Sequence, residues 1–337
     1  MNRVWILTAG RMGDLRQMEL VAEALGWQTE VISLTFAKAS AALLALMPER
    51  HLLTPHPWES GRVQPDLVLC AEASTCALAA RVKRRGATFK LVCIGRPRGH
   101  FGDFDMIITS PQYRLPIADN IVELPVAPHA LKAVGDTDGE WLETLKKLPR
   151  PLGAILIGGT SRPDMLDGPA AVDLGAAINK MADRKESTVF VVTSPRTGLE
   201  ATDILRDRLN KNVNFHSWHR GGANPYNALL AVADSFVVTS DSATMVIEAM
   251  LTGKPVSLYS LPIRQSSISR ALEFFMQFKI AIPLINAGLI ERRPDRRLLF
   301  QTFERDFSLS SGVAGKTVGE LMPQTAETAA ALIRTLL

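Results

Sequence analysis

The 337-residue chain has little of what marks several protein classes: three cysteines, 6% aromatic residues and a formal net charge of only +4. Cys70, Cys76 and Cys93 are odd in number, sit near apolar segments and lack the spacing of metal ligands. The expectation is buried, reduced thiols in a reducing compartment. No apolar run approaches the roughly 20 residues a bilayer-spanning helix needs; the longest weakly polar patch is 39–47. The first residues open directly into the strand-like Val4–Leu7, which argues against a secretory leader. A share of 47% hydrophobic against 21% charged residues excludes extended disorder. A cytoplasmic protein is expected, with peripheral contact at the inner face of the cytoplasmic membrane left open. The basic cluster Arg81, Lys83, Arg84 and Arg85 reads as a solvated helix end or as a membrane contact. It has no interleaved aromatics, so nucleic acid is not expected as a partner.

The length suits two domains, each large enough for its own core. In the first, Val4–Leu7 leads through Gly10, Arg11, Met12, Gly13 and Asp14 into a helix ending near Leu25 and a strand from Glu30 to Leu34. This Gly-x-x-Gly loop lacks the full dinucleotide fingerprint, so no nicotinamide cofactor is indicated. Its glycines fit a tight turn or a ligand loop. Further strands are expected at Leu67–Cys70, Lys90–Ile94 and Met106–Ile108, alternating with helical material as in a parallel sheet covered on both faces. Residues 51–64 form an irregular excursion, expected over the acceptor side. Arg98, after Gly95, fits a phosphate or carboxylate ligand as well as a surface arginine. Asp103 and Asp105 suggest a metal-binding D-x-D, but Asp105 leads straight into a strand and has no carboxylate or histidine partner nearby, so no metal site is expected. Pro149 and Pro151 place a boundary between domains 1–148 and 152–320, with a terminal helix in 321–337.

The second domain carries more chemistry. Strand Ala154–Ile157 ends in Gly158, Gly159, Thr160 and Ser161; strand Thr188–Val192 ends in Thr193, Ser194, Pro195, Arg196 and Thr197. Strand Phe236–Val238 ends in Thr239, Ser240, Asp241 and Ser242, followed by a helix from Ala243 to Leu251 that stops at Gly253. Three polar, small-residue loops at strand ends, one opening a helix, form a candidate diphosphate site. Asp241 is expected to cap that helix, since its charge opposes a phosphate. Glu248 lies inside the helix, within reach of ribose hydroxyls beside a bound diphosphate. Asn224 and Pro225 mark a helix start, with Pro at the first helical position. Trp218, between His216 and His219, is a candidate to border a nucleoside base. Arg292, Arg293, Arg296 and Arg297 read as a solvated patch.

The runs N-P-Y, A-D, V-T-S-D-S, E-A and T-G-K-P-V between Asn224 and Val256 resemble the mitochondrial-fission ELM-like family. So do Gly10, Gly13 and Gln17, and the T-S-x-R-T of Thr193–Thr197. Bacterial members of that family resemble GT-B glycosyltransferases. The family's P-x-H-D is here Pro111, Gln112, Tyr113 and Arg114, which puts a histidine or aspartate role at that point in doubt. The resemblance implies two Rossmann-like α/β domains facing across a cleft, with the last helix returning to the first domain. It implies transfer of a sugar from a nucleoside-diphosphate sugar to a cell-envelope glycan or lipid-linked acceptor, with no bound metal and no tightly bound cofactor. It places Gly10 and Gly13 at the cleft, the three Ser/Thr loops and Glu248 on the donor, and Arg264 and Gln265 near the sugar. Asp14 is the first candidate for the general base and Glu72 the second. A nucleotide-sugar epimerase and a non-catalytic adaptor are the alternatives.

Overall fold

The computed structural model describes residues 2–37, 47–59, 61–97, 100–129, 138–161, 163–184, 188–219, 222–264, 270–271, 274–276, 278, 281–286, 292, 295–307 and 318–337. They form two compact units. One comprises Met1–His129, Ile268–Thr302 and Leu321–Leu337; the other comprises Ala130–Ser267 and Phe303–Glu320.

The first unit is a six-stranded parallel sheet of β1 (Arg3–Thr8), β2 (Gln28–Ser33), β3 (Leu67–Cys70), β4 (Lys90–Ile94), β5 (Met106–Thr109) and β6 (Ile121–Glu123), ordered β2-β1-β3-β4-β5-β6. Helix α1 (Met12–Leu25) links β1 to β2, and α2 (Ala73–Arg84) links β3 to β4. Val4 to Leu7 are all fully buried, because a parallel sheet covered on both faces has no solvent side. Side chains alternate between the faces. Val4, Ile6, Leu67 and Leu69 meet Met18, Val21 and Leu25 of α1, while Trp5, Leu7 and Val68 meet Leu78 and Ala79 of α2. Within the excursion after β2, Trp58 packs its ring on Trp5 at 5.5 Å and on Phe89 at 5.4 Å, so that part of the loop is a plug in the core.

The second unit is a five-stranded parallel sheet of β7 (Leu152–Ile157), β8 (Thr188–Thr193), β9 (Val213–His216), β10 (Ser235–Thr239) and β11 (Val256–Tyr259), ordered β11-β10-β7-β8-β9. Its helices are α3 (Gly139–Lys146), α4 (Gly168–Asp183), α5 (Leu199–Arg208), α6 (Tyr226–Val232) and α7 (Ala243–Leu251). Asp167 caps α4 by accepting from Ala170 N at 3.1 Å. The boundary falls earlier than the prolines suggest. Trp141 of α3 packs edge-on to His216 at 5.0 Å and Phe190 at 6.2 Å, which ties α3 to the second sheet.

Among the described residues three helices follow: α8 (Ile282–Asn286), α9 (Arg296–Phe307) and α10 (Val318–Arg334). Ala329, Ala330 and Ile333 of α10 lie in the core of the first sheet, and Arg334 donates to Ala24 O at 2.7 Å at the end of α1. Among the described residues no helix is long and apolar enough to cross a membrane.

Candidate functional site

Both sheets have a point where the strand order reverses, and in open α/β sheets ligands bind outside the carboxyl ends of the strands there. In the second unit the chain starts at β7, runs outward through β8 and β9, then crosses back to β10 and β11. The reversal therefore lies between β7 and β10, where the loops after Ile157 and Thr239 stand side by side. The loop after β8 is their neighbour. All three predicted loops thus converge at one sheet edge.

Asp241 ties them together. Its Oδ2 accepts from Gly159 N at 2.9 Å and faces Arg196 Nη2 at 3.1 Å, while its Oδ1 accepts from Thr239 Oγ1 at 2.7 Å. Thr239 Oγ1 in turn accepts from Gly158 N at 2.8 Å. The carboxylate side chain is fully buried, whereas that of Arg196 is 43% exposed. A Cβ on Gly158 would lie 2.2 Å from Asp241 Oδ2, and one on Gly159 2.0 Å from Arg196 O, so the glycine pair permits the close approach. This corrects the cap expected at Asp241. The N-cap of α7 is Ser242, with no side-chain cap hydrogen bond, and the first turn's N–H groups have no hydroxyl or carboxylate of the cap upon them.

Several predicted hydroxyls serve the loops themselves. Ser194 Oγ donates to Gly158 O and accepts from Arg196 N at 3.2 Å; Thr160 Oγ1 accepts from Leu166 N at 3.1 Å. Ser240 Oγ donates to Asp164 Oδ1 and accepts from Leu261 N, both at 3.0 Å. Ser161 exchanges backbone bonds with Asp164, and Thr193 Oγ1 accepts from Trp218 N at 2.8 Å. The mesh fixes the loop shapes. It leaves Arg196, the α7 N-terminus and the 36%-exposed Trp218 as outward-facing groups of this edge.

Glu248 is half-buried in α7, and Tyr226 Oη donates to its Oε2. Burial raises the carboxyl above its ordinary range, and the tyrosine bond partly opposes this. Tyr226 is the partner that spacing did not reveal. It opens α6, where Asn224 Oδ1 accepts from Tyr226 N at 3.0 Å and Pro225 is the N-cap, one position before the first helical residue predicted for it.

In the first unit the strand order reverses between β1 and β3. Here Glu72 is the tie: its Oε1 accepts from Thr8 Oγ1 at 3.0 Å, Ala9 N at 2.7 Å and Arg11 N at 3.4 Å. Glu72 is buried and holds the loop in shape. Gly10 has φ +100°, but Gly13 lies inside the first turn of α1, which begins at Met12, and only Gly10 requires glycine. Asp14 sits on that first turn with Arg11 at 3.9 Å. Burial raises its carboxyl, Arg11 lowers it and Glu72 raises it, for a net upward shift. Tyr113, whose ring approaches Gly95, is pushed up to about 12 by burial first and then by Asp14 and Cys93. Gln17 meets His129 Nε2 at 3.5 Å, and His129 Nδ1 lies 2.9 Å from Ala127 O. Sequence reasoning missed His129, which follows Pro128 outside any regular element.

Other candidates have local duties. Asp103 pairs with Arg84 at 2.9 Å, and Asp105 pairs with Lys83 and accepts from Leu91 N at 2.7 Å. Glu49 takes Arg81 at 3.1 Å and Arg85 at 2.6 Å, so the whole basic cluster has carboxylate partners. Arg264 pairs with Asp167 at 2.7 Å. Arg98, Gln265 and Arg293 lie outside the described residues.

The mitochondrial fission ELM1 family model matches residues 12–298. The chain belongs to this family. The Arabidopsis thaliana mitochondrial fission protein ELM1 is 27% identical over 218 residues, 57% of this chain and 51% of that protein, so the match spans about half of that relative's length. A Rickettsia prowazekii protein, RP120, described as uncharacterized, is 23% identical over 300 residues, 77% of this chain and 83% of that one. Among solved structures, the UDP-GlcNAc 2-epimerase of Methanocaldococcus jannaschii matches with a TM-score of 0.56 at 12% identity, over 100% of this chain and 99% of that one. The two parallel α/β units of the family member are those of the GT-B fold class.

Proposed function

We propose that the chain is a nucleotide-sugar enzyme whose second unit holds the diphosphate of a nucleoside-diphosphate sugar without a metal ion. The observation that carries this reading is the convergence, at the β7/β10 reversal, of the half-exposed Arg196 with an α7 N-terminus that has no side-chain cap. A fixed guanidinium and a helix N-terminus can offset the charge that develops on a departing diphosphate, the role a divalent cation fills elsewhere. In this reading Glu248 accepts from a ribose hydroxyl through the oxygen that Tyr226 does not hold, and Trp218 borders the base. Ser242 Oγ and the Gly159–Thr160 backbone line the phosphate position, while Ser161, Thr193, Ser194, Ser240 and Asp241 keep the loops in register.

The reaction proposed is glycosyl transfer to a cell-envelope glycan or lipid-linked acceptor; a lipid-linked acceptor would bring the enzyme to the inner membrane surface. Asp14 is the proposed base. Burial raises its carboxyl, which makes it a stronger proton acceptor than an ordinary aspartate, and it does not carry the loop hydrogen bonds that occupy Glu72. The full-length likeness to an epimerase supports a second reading, in which the same donor site serves inversion at one sugar carbon.

Titration calorimetry with nucleoside diphosphates and their sugar conjugates, with and without chelator, tests the donor site. Binding unchanged by chelator is expected, and loss in chelator restored by magnesium or manganese contradicts it. Product analysis with a bound donor separates transfer from epimerisation.

A further inference from the structure

The three cysteines of the chain are separated by 5 and 16 intervening residues, yet the fold brings them to one point. Cys70 closes β3, and the β3–β4 register sets it directly abreast of Cys93. Helix α2 starts three residues after Cys70 and folds back on the sheet, which delivers Cys76 from its first turn to the same face. The three sulfurs all lie within 4.8 Å of one another, with Cys76 Sγ and Cys93 Sγ 3.6 Å apart. All three residues are fully buried. Their spacing predicted buried, reduced thiols and no metal site; strand register, which spacing does not contain, brings the three together.

Metal–sulfur bonds of about 2.3 Å place ligand sulfurs roughly 3.8 to 4.0 Å apart, on a tetrahedral face or in a planar triangle. The triangle of sulfurs already has nearly that size. A disulfide would require one pair to close to about 2.05 Å and would leave the third sulfur without a role. Thiolate sulfur selects soft cations, zinc(II) and copper(I) before magnesium or calcium.

We propose that Cys70, Cys76 and Cys93 form a tri-thiolate site for a thiophilic d10 cation. As the cation binds, each ligating thiol releases its proton to solvent and a sulfur lone pair forms the metal–sulfur bond, with no change of oxidation state. Zinc(II) with three thiolates leaves one net negative charge to bury and copper(I) leaves two, so zinc carries the smaller desolvation penalty. Among the described residues no histidine or carboxylate joins the group, which leaves a three-coordinate copper(I) or a zinc with one further small ligand. The site's role is positional. Glu72 lies between Cys70 and Cys76 in the chain, and a cation there pins the β3–α2 junction from which Glu72 holds the Gly10 loop.

The test uses the full chain, fully reduced and stripped of metal, with zinc(II) and anaerobic copper(I) as separate probes, each added to the native protein and during refolding. One equivalent of one cation should remain after desalting, with a raised melting temperature, and cobalt(II) should give a thiolate-to-metal charge-transfer band. Cys76→Ala, on a helix where alanine is well tolerated, should stay folded by circular dichroism. It should bind more weakly than the parent by more than the roughly 10- to 100-fold that loss of an outer-shell partner costs. Retention of neither cation by either route overturns the proposal. So does undiminished binding in folded Cys76→Ala, or a parent isolated two hydrogens lighter with two of these sulfurs joined.

Discussion

Two buried carboxylates, Glu72 and Asp241, hold the same topological place in the two units. Each stands where strand order reverses, and each ties the loops at that reversal. The attachments differ. Glu72 gathers Thr8, Ala9 and Arg11 on a single oxygen, through a hydroxyl and two backbone N–H groups. Asp241 uses both oxygens and faces a guanidinium. The first arrangement shapes a loop beside another carboxylate, Asp14, which the exposed Arg11 faces at 3.9 Å. The second leaves a half-exposed positive charge next to a helix N-terminus. In one unit the loop's exposed guanidinium is therefore taken up by a neighbouring carboxylate, and in the other it faces the tying carboxylate itself.

The sharpest way to break the comparison is to remove each acid. Asp241→Ala leaves Gly159 N and Thr239 Oγ1 without their buried acceptor and the half-exposed Arg196 without its counter-charge, and should cost about 2 to 4 kcal/mol in denaturant unfolding, the scale for orphaning two buried donors with the guanidinium rehydrated. Glu72→Ala breaks only neutral donors and should cost about 1 to 3 kcal/mol. Equal losses would erase the distinction.

Glu72→Gln and Asp241→Asn refine it. The glutamine keeps one carbonyl oxygen for all three donors, so its loss should stay under about 1 kcal/mol, whereas asparagine cannot accept on both sides and should lose more, about 1 to 3 kcal/mol. Arg196→Gln should weaken binding of the best nucleoside diphosphate by roughly 10- to 100-fold, the worth of a charged hydrogen bond, in calorimetry at fixed salt.

The smallest expected effect on stability is at Glu248. Its folded-state carboxyl is raised, so the folded protein binds the extra proton between the unfolded and folded values, and stability falls as pH rises through that window. Glu248→Gln removes this loss. It should match or slightly exceed the parent in melting temperature at neutral pH, with the gain vanishing below the ordinary glutamate range, while nucleotide affinity drops by roughly tenfold to a hundredfold. A variant less stable than the parent at neutral pH would mean that the Tyr226 bond outweighs burial.

Much of this was legible in the sequence. Buried strands such as Leu67–Cys70 and Lys90–Ile94 read cleanly because parallel strands are continuous apolar runs. The edge strands Ile121–Glu123 and Val213–His216 did not, being short and only partly buried. The three Ser/Thr loops were found, since small polar residues after apolar runs mark strand ends. Their internal division of labour was not, because whether Ser194 or Ser240 turns inward depends on partners 36 and 76 residues away. The tying role of Glu72, the pairing of Tyr226 with Glu248 and the meeting of the three cysteines stayed hidden for the same reason: each is a consequence of strand order and register.

The central claim is that a diphosphate binds at the β7/β10 reversal. Hydrogen exchange of the full chain, with and without a saturating nucleoside diphosphate and with chelator present throughout, tests it most directly. The account predicts slowed exchange in 158–161, 194–198 and 242–246, with little change in 9–14. Protection confined to 9–14 and the residues around Glu72, with none at the second unit's strand ends, would contradict it.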